Sequence, residues 1–276
     1  MQEKILITGA KGQLGLELTK LLPQAILTDT DTLDITNYED VESFIHKYQI
    51  TTIINCAAYT AVDKAEDDKE TAYAVNVIGP ENLAKTGCKL IHISTDYVFD
   101  GHMYRPYTPD DKPNPLSVYG ITKEQGEQAV LKYAQNAVII RTAWLYSANG
   151  QNFVKTMRRL GCERTKLNVV CDQIGTPTFA GDLAQVIVDI LPQMTVENKG
   201  IYHYTNEGVC SWYDFATAIM VLSHLNCQVA PILSSEYPTK AIRPFYSVLD
   251  KTKIKNTFHL TIPHWKESLV QCLKQF

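Results

Sequence analysis

Lys4-Ile-Leu-Ile-Thr8-Gly9-Ala-Lys-Gly12-Gln-Leu-Gly15-Leu-Glu-Leu-Thr-Lys-Leu-Leu22 decides the fold. Residues 4–8 have the length and apolar character of a short buried strand, and residues 16–22 carry apolar side chains at helical spacing. Gly9, Gly12 and Gly15 between them let the backbone come close to a ligand. The helix start that follows attracts negative charge. A strand, a glycine turn and a helix start form the setting in which a dinucleotide pyrophosphate is held. The spacing is GxxGxxG rather than GxGxxG, and a glycine-rich βα turn without a ligand is the alternative reading.

Working outward, Ala25–Asp29 reads as a second strand. Its terminal acid falls 20 residues after Gly9, where a carboxylate can accept from an adenosine ribose hydroxyl. Leu33-Asp34-Ile35-Thr36-Asn37 reads as a loop and helix cap, residues 38–48 as a helix and 52–56 as a third strand. The strand runs into Ala57-Ala58-Tyr59-Thr60, whose small residues suit close approach by a cofactor. Helical spacing returns over 66–86, with Asn76 inside it, and 89–94 is a fourth strand ending in Ser94-Thr95-Asp96. Residues 101–116, with four prolines, read as an irregular loop. After the apolar run 137–141 the pattern is less regular: helices over 151–161, 181–191 and 212–224, strands over 167–171 and 200–204, a loop-rich stretch from Pro231 to Pro244, and a short helix from Trp265.

Strands alternating with helices predict an α/β fold, a Rossmann-like doubly wound parallel sheet, with a smaller interwoven C-terminal substrate lobe. The expected division is a dinucleotide-binding domain over 1–146, completed by segments near 172–192, and a mainly substrate-binding lobe over 147–276. In such sheets ligands bind beyond the carboxyl ends of the strands. Thr95, Asp96 and Trp144 occupy such ends.

Tyr119 and Lys123 in Ser117-Val-Tyr-Gly-Ile-Thr-Lys123 are four apart, which on a helix puts their Cβ atoms about 5–6 Å apart on one face. An ammonium beside a phenol favours the phenolate, so this spacing predicts a tyrosine pKa below its usual value of about 10 and a group able to move a proton.

The chain of 276 residues carries 26 basic and 30 acidic residues, a net charge of −4, with no long basic run. Nucleic acid is therefore not an expected partner. No run of 18 apolar residues predicts a membrane span, and the N-terminal apolar stretch is too short for a signal peptide. The seven cysteines form no CxxC pair and read as buried thiols in a reducing cytoplasm.

Taken together, these blocks resemble the extended short-chain dehydrogenase/reductases and, within them, the dTDP-4-dehydrorhamnose reductases. The resemblance runs nearly end to end, through the glycine turn, Asn55–Glu66, Ser94–Gly101, Pro115–Lys123, Arg141–Tyr146, Asn152–Met157, Asp172–Thr178 and Arg243-Pro244. It implies NADPH- or NADH-dependent reduction of the C4 keto group of dTDP-4-dehydro-L-rhamnose to dTDP-L-rhamnose. Tyr119 would donate the proton, Lys123 would orient the cofactor and tune Tyr119, and Thr95 would bind the carbonyl oxygen. The implied cofactor set is Gly9, Lys11, Gly12, Gln13, Leu14, Gly15, Asp29, Asp34, Ile35, Cys56, Ala57, Ala58 and Tyr59, with Tyr119 and Lys123. The implied substrate set is Thr60, Val62, Asp96, Tyr97, Trp144 and Arg243, the last for the diphosphate. Some members of the family bind magnesium through glutamates. Here Glu17 matches one such place, read as an ordinary helix-surface carboxylate, but Gly181 holds another, so no metal is expected. A monomer or weak homodimer is expected. Two other readings stay open: a different nucleotide-sugar epimerase, dehydratase or ketoreductase, and a non-catalytic subunit similar to the regulatory subunit of methionine adenosyltransferase.

Overall fold

The computed structural model describes residues 3–276. In the first half, β1 (Ile5–Thr8), α1 (Gln13–Leu21), β2 (Ile26–Thr28), α2 (Tyr38–Tyr48) and β3 (Thr52–Asn55) alternate. They are followed by α3 (Val62–Ala65), α4 (Lys69–Tyr73), α5 (Gly79–Lys85), β4 (Lys89–Thr95), α6 (Val118–Tyr133) and β5 (Ala137–Thr142). The second half holds β6 (Leu145–Tyr146), α7 (Phe153–Glu163), β7 (Lys166–Val170), β8 (Ile174–Gly175), β9 (Thr178–Phe179) and α8 (Ala180–Ile190). It ends with β10 (Gly200–His203), β11 (Cys210–Ser211), α9 (Trp212–Leu222), β12 (Gln228–Ile232), α10 (Thr252–Phe258) and α11 (Trp265–Leu273).

Six strands among the described residues form the main sheet, in the order β10-β5-β4-β3-β1-β2, with every pair parallel. It is the doubly wound Rossmann-like sheet that the alternation predicts. One face is covered by α1 and α8, whose Leu14, Leu18, Leu183 and Ile187 pack on Ile7, Ile54 and Val138. The other face packs Val41, Leu83 and Val130 from α2, α5 and α6 on Leu6, Ile53 and Ile139. A separate apolar cluster around Tyr146, Met157, Phe215, Ile219 and Leu269 holds the lobe built on α7, α9 and α11. Both α8 and β10, which follow residue 146, return to the main sheet.

Residues 66–86, expected as one helix, are broken. The chain turns at Asp67-Asp68, restarts as α4, widens into a π-helical turn over Ala74–Ile78 and re-forms as α5 with Pro80 near its start. Proline has no N–H to donate and favours a helix start. Gly126 of α6 backs onto the widened turn so closely that a Cβ there would lie 2.1 Å from the Asn76 carbonyl oxygen. Four buried cysteines (Cys88, Cys210, Cys227, Cys272) match the sequence reading, but Cys162 is exposed and Cys56 and Cys171 are only partly covered. No described helix is long and apolar enough to cross a membrane.

Helix α6 is fixed in rotation by a buried ion pair. Arg141 of β5 donates through Nε and one terminal nitrogen to the two Glu127 oxygens at 2.8 and 2.6 Å. Ser94 Oγ of β4 donates to the same carboxylate, and a further Arg141 nitrogen lies 3.5 Å from His203 Nε2 on β10. Burial and the Arg141 charge hold His203 down to about 3. The neutral ring therefore accepts from Arg141 at Nε2 and donates from Nδ1 to the Tyr107 carbonyl at 3.0 Å.

Gly126→Ala is expected to force α6 away from the π-helical turn and to lower stability by ~1–3 kcal/mol, the range for overpacking. Urea denaturation checks it: an unchanged midpoint would show that the two elements separate without cost.

Candidate active site

The glycine turn lies at the carboxyl end of β1 and lines a cleft of about 1010 Å³. Gly9 takes φ +64°, and a Cβ on it would meet the Ala57 nitrogen at 2.7 Å, so the turn is pressed backbone to backbone against the end of β3. Gly15 has its own close contact, 2.4 Å from a Cβ position to the Gly9 oxygen. The N-cap of α1 is Gly12, which supplies no side-chain acceptor to the first helical turn. Those N–H groups are left without a side-chain partner at the positive end of the helix, beside the cleft. Along the cleft stand Gly9, Lys11, Gly12, Gln13, Leu14, Gly15, Asp29, Asp34, Ile35, Cys56, Ala57 and Ala58, and Thr60 of the expected substrate set. Tyr59, Tyr119 and Lys123 lie outside this lining.

Asp29 accepts from the Lys11 backbone N–H at 3.0 Å and from the Thr30 N–H at 2.9 Å. The Lys11 ammonium pairs with Asp31 at 2.6 Å, not with Asp29. Asp31 is a neighbour that sequence spacing does not single out.

The tyrosine and lysine share one face of α6, capped by Ser117, whose Oγ accepts from the Gly120 N–H. Tyr119 packs with Val62, Ala65, Ala72 and the edge of Tyr97, whose ring centroid is 5.5 Å away. The predicted lowering of its pKa is reversed. Burial pushes the Tyr119 phenol well up, and the Thr95 hydroxyl only partly offsets this. Lys123 does not pull it down because its Nζ donates to the Ile93 carbonyl at 2.6 Å. Burial lowers Lys123 itself to about 8, with Glu127 and Cys56 opposing. Cys56 belongs to the cleft wall, which puts the ammonium against it.

Thr95 ends β4 and donates to Asp96 Oδ1 at 3.1 Å while accepting from the Tyr97 N–H. Asp96 is buried with Oδ2 unpartnered. Burial raises its pKa to about 6, against the Ser247 and Thr95 hydroxyls that lower it. Asn76 accepts from the Tyr59 N–H and donates to the Tyr59 carbonyl and to Thr122. It fixes the loop after β3.

Trp144 holds φ +50°, a left-handed backbone rare for a bulky residue. Its ring stacks on Trp212 at 3.6 Å. Gly175 joins it to the site: a Cβ there would lie 2.8 Å from both the Trp144 ring and Ser247 Oγ. Arg243 is already engaged, by Tyr97 Oη at 3.1 Å and Asp63 Oδ2 at 2.7 Å. Glu17 is not a surface carboxylate. It is buried and accepts from Lys20 at 2.6 Å and from Asn149 at 3.1 Å, because its side of α1 faces the turn after β6. Among the described residues no three His, Cys, Asp or Glu side chains gather as a metal site.

Residues 3–276 match the family described as the RmlD substrate binding domain. A dTDP-4-dehydrorhamnose reductase of Aggregatibacter actinomycetemcomitans is 43% identical, covering 96% of this chain and 97% of that protein. The chain belongs to the dTDP-4-dehydrorhamnose reductase family. Its members are oxidoreductases, and two solved structures carry the likeness into three dimensions. The dTDP-4-dehydrorhamnose reductase of Clostridium acetobutylicum is 45% identical with a TM-score of 0.94 over 99% of each chain. That of Bacillus anthracis, solved in complex with NADP, is 39% identical with a TM-score of 0.95 over 100% of each chain.

Within this family member, sequence reasoning missed Gly150 and Gln151, which reach the cleft from the second half. Asn152 supports them by donating to Gln13 at 2.8 Å. It also missed Asp63, Ser247 and Trp212. The first sits in the quoted Asn55–Glu66 block, and only the fold joins it to Arg243.

Asp96 is expected to titrate near 6 in a carboxyl-carbon NMR titration. Thr95→Val removes a donor to the carboxylate and moves the midpoint further up. A midpoint in the ordinary aspartate range near 4 would contradict the burial argument.

Proposed function

We propose that this chain reduces the C4 keto group of dTDP-4-dehydro-L-rhamnose to give dTDP-L-rhamnose, using NADPH or NADH. The observation that carries this reading is the placing of Thr95 and Asp96 at the carboxyl end of β4, with Tyr119 packed against Tyr97 and Lys123 on the same helix bonded to the Ile93 carbonyl of that strand. A dinucleotide fits the cleft residues, since side chains at Gly9 or Gly15 would collide with backbone and the first turn of α1 is uncapped. When bound, a reduced nicotinamide supplies the hydride to C4.

The chain's own groups manage the oxygen. Tyr119 gives its phenolic proton to the C4 oxygen, so that C=O becomes CH–OH as the cofactor is oxidised. Burial keeps that phenol protonated, which is the donating form. Thr95 turns its hydroxyl hydrogen from Asp96 to the developing oxyanion. Lys123, charged below about 8, holds the cofactor ribose rather than lowering the Tyr119 pKa. Asp96, ionised above about 6, accepts from a sugar hydroxyl. Trp144 offers an apolar face to the deoxysugar methyl group, and Arg243 meets the diphosphate.

Cofactor choice follows from the Lys11–Asp31 pair. It is solvent-exposed, where water screens such pairs, so Lys11 can leave Asp31 for a 2′-phosphate at little cost. Asp29 favours a free ribose hydroxyl. Both cofactors should therefore work, with NADPH preferred, and the NADP-bound Bacillus anthracis relative supports that tilt.

Tyr119→Phe should lower kcat about 10²-fold or more, with dTDP binding little changed. In the wild type, kcat/KM should fall below pH 6 as Asp96 takes a proton and above pH 8 as Lys123 loses one. Keto-sugar reduction followed by NADPH oxidation, with NMR of the product, tests both. Near-normal turnover in Tyr119→Phe sinks the mechanism, and the opposite C4 configuration in the product sinks the substrate. Kinetics with both cofactors test the choice: a preference beyond roughly a hundredfold, about 2.7 kcal/mol, contradicts the balanced reading.

A further inference from the structure

We propose that Asp63 is a positioning residue that aims Arg243 at the substrate diphosphate and holds the 240–243 segment over the sugar site. The inference rests on the reaction proposed above and adds a residue that the substrate set lacks. Asp63 sits in the first turn of α3, beside the cleft residue Thr60. Its two carboxylate oxygens hold one segment at two points. Oδ1 accepts the Ala241 backbone N–H at 3.0 Å, and Oδ2 accepts from Arg243 at 2.7 Å. One turn on, Lys240 pairs with Asp67. From behind, Gly101 supports the segment: with φ +81°, it packs so that a Cβ would lie 2.6 Å from Pro244.

The geometry leaves Arg243 useful. A guanidinium has five N–H donors in a rigid plane; two are used, one on Asp63 and one on Tyr97 Oη, so three remain for an anion. With the plane held at two points, those three donors are presented in a fixed direction, and little side-chain entropy is left to lose on binding. The same bond reaches the chemistry, because Tyr97 lies edge-on against Tyr119. Asp63 side-chain exposure of 44% and Arg243 exposure of 29% leave the pair open to an incoming ligand. A contrary effect exists, since a carboxylate near a diphosphate repels it. Orientation is inferred to outweigh repulsion because the Asp63 charge is already paired with Arg243.

The test is calorimetric binding of dTDP, with kcat and KM measured on the nucleotide-linked keto sugar. Asp63→Ala should weaken dTDP about tenfold and raise KM similarly, with kcat changing less than about threefold. Asp63→Asn should recover only part of the loss, because its single carbonyl oxygen can accept from Ala241 or from Arg243 but not from both, and its amide nitrogen is itself a donor. In an Arg243→Ala background, Asp63→Ala should add almost nothing. Equal or tighter dTDP binding by Asp63→Ala, or penalties that simply add to those of Arg243→Ala, would overturn the proposal. Should Asp63→Ala fail to fold, Arg243→Lys decides: lysine keeps the charge but cannot bridge Asp63 and Tyr97, and undiminished dTDP affinity there overturns it equally. A wild type that binds dTDP yet reduces no keto sugar would defeat the reaction assigned above and leave this test intact; a wild type that does not bind dTDP defeats both.

Discussion

The Glu127–Arg141 pair is the constraint on which the rest of the site depends. Removing two charges from water costs several kcal/mol per ion, and an interior pair recovers this only with good geometry and further hydrogen bonds. Here the fork is bidentate, Ser94 adds a third donor, and His203 takes a spare guanidinium nitrogen. The network ties β4, β5, β10 and α6 together at one depth. Tyr119, Lys123 and Glu127 are spaced i, i+4 and i+8, so anchoring Glu127 sets the rotation of the helix about its axis. The phenol then arrives over Thr95 and the ammonium over the Ile93 carbonyl. A hydrophobic anchor would fill the same space, but it would allow the helix to roll.

Two kinds of electrostatics meet at this site. Around Tyr119, Lys123 and Asp96 burial dominates, and each group is pushed toward its neutral form. At the mouth, Lys11, Asp31, Lys240 and Asp67 are exposed, and their pairings are weak and exchangeable. The interior is thus set before a ligand arrives, while the rim is made of charges that can change partners. Such a division suits an enzyme that takes up two anionic molecules and releases both.

The first half of the fold was legible because each strand and helix carries its own period. The run Ile5–Thr8, the glycine turn and the alternation up to Thr142 needed no long-range information. The break between α4 and α5 was hidden because residues 66–86 keep helical spacing through the π-helical turn; only Gly126, a partner about 50 residues away, reveals the widening. The two-residue strands β6, β8, β9 and β11 are too short for any periodic signal. In the site, Tyr119, Lys123 and Thr95 stood out by chemistry and spacing, but the direction of the tyrosine shift did not. Spacing gives proximity along a helix, whereas burial and the Ile93 carbonyl are properties of the assembled sheet. Asp63 was invisible for the same reason, since its partner lies 180 positions away.

The last strand of the main sheet comes late. β5 ends at Thr142, and its outer neighbour β10 begins only at Gly200, after α7, α8 and four short strands have been made. Those 57 intervening residues take about 3–11 s to synthesise at 5–20 residues per second. Until β10 is made, no other strand of the main sheet can pair with the outer edge of Ala137-Val-Ile-Ile, which is fully covered in the finished molecule. A flat, apolar, β-branched edge is a template for pairing with another chain. Arg141, held within that strand, is already paired with Glu127 of the preceding helix and gains His203 only when β10 docks. The residue that anchors α6 therefore also marks where the last strand closes the sheet.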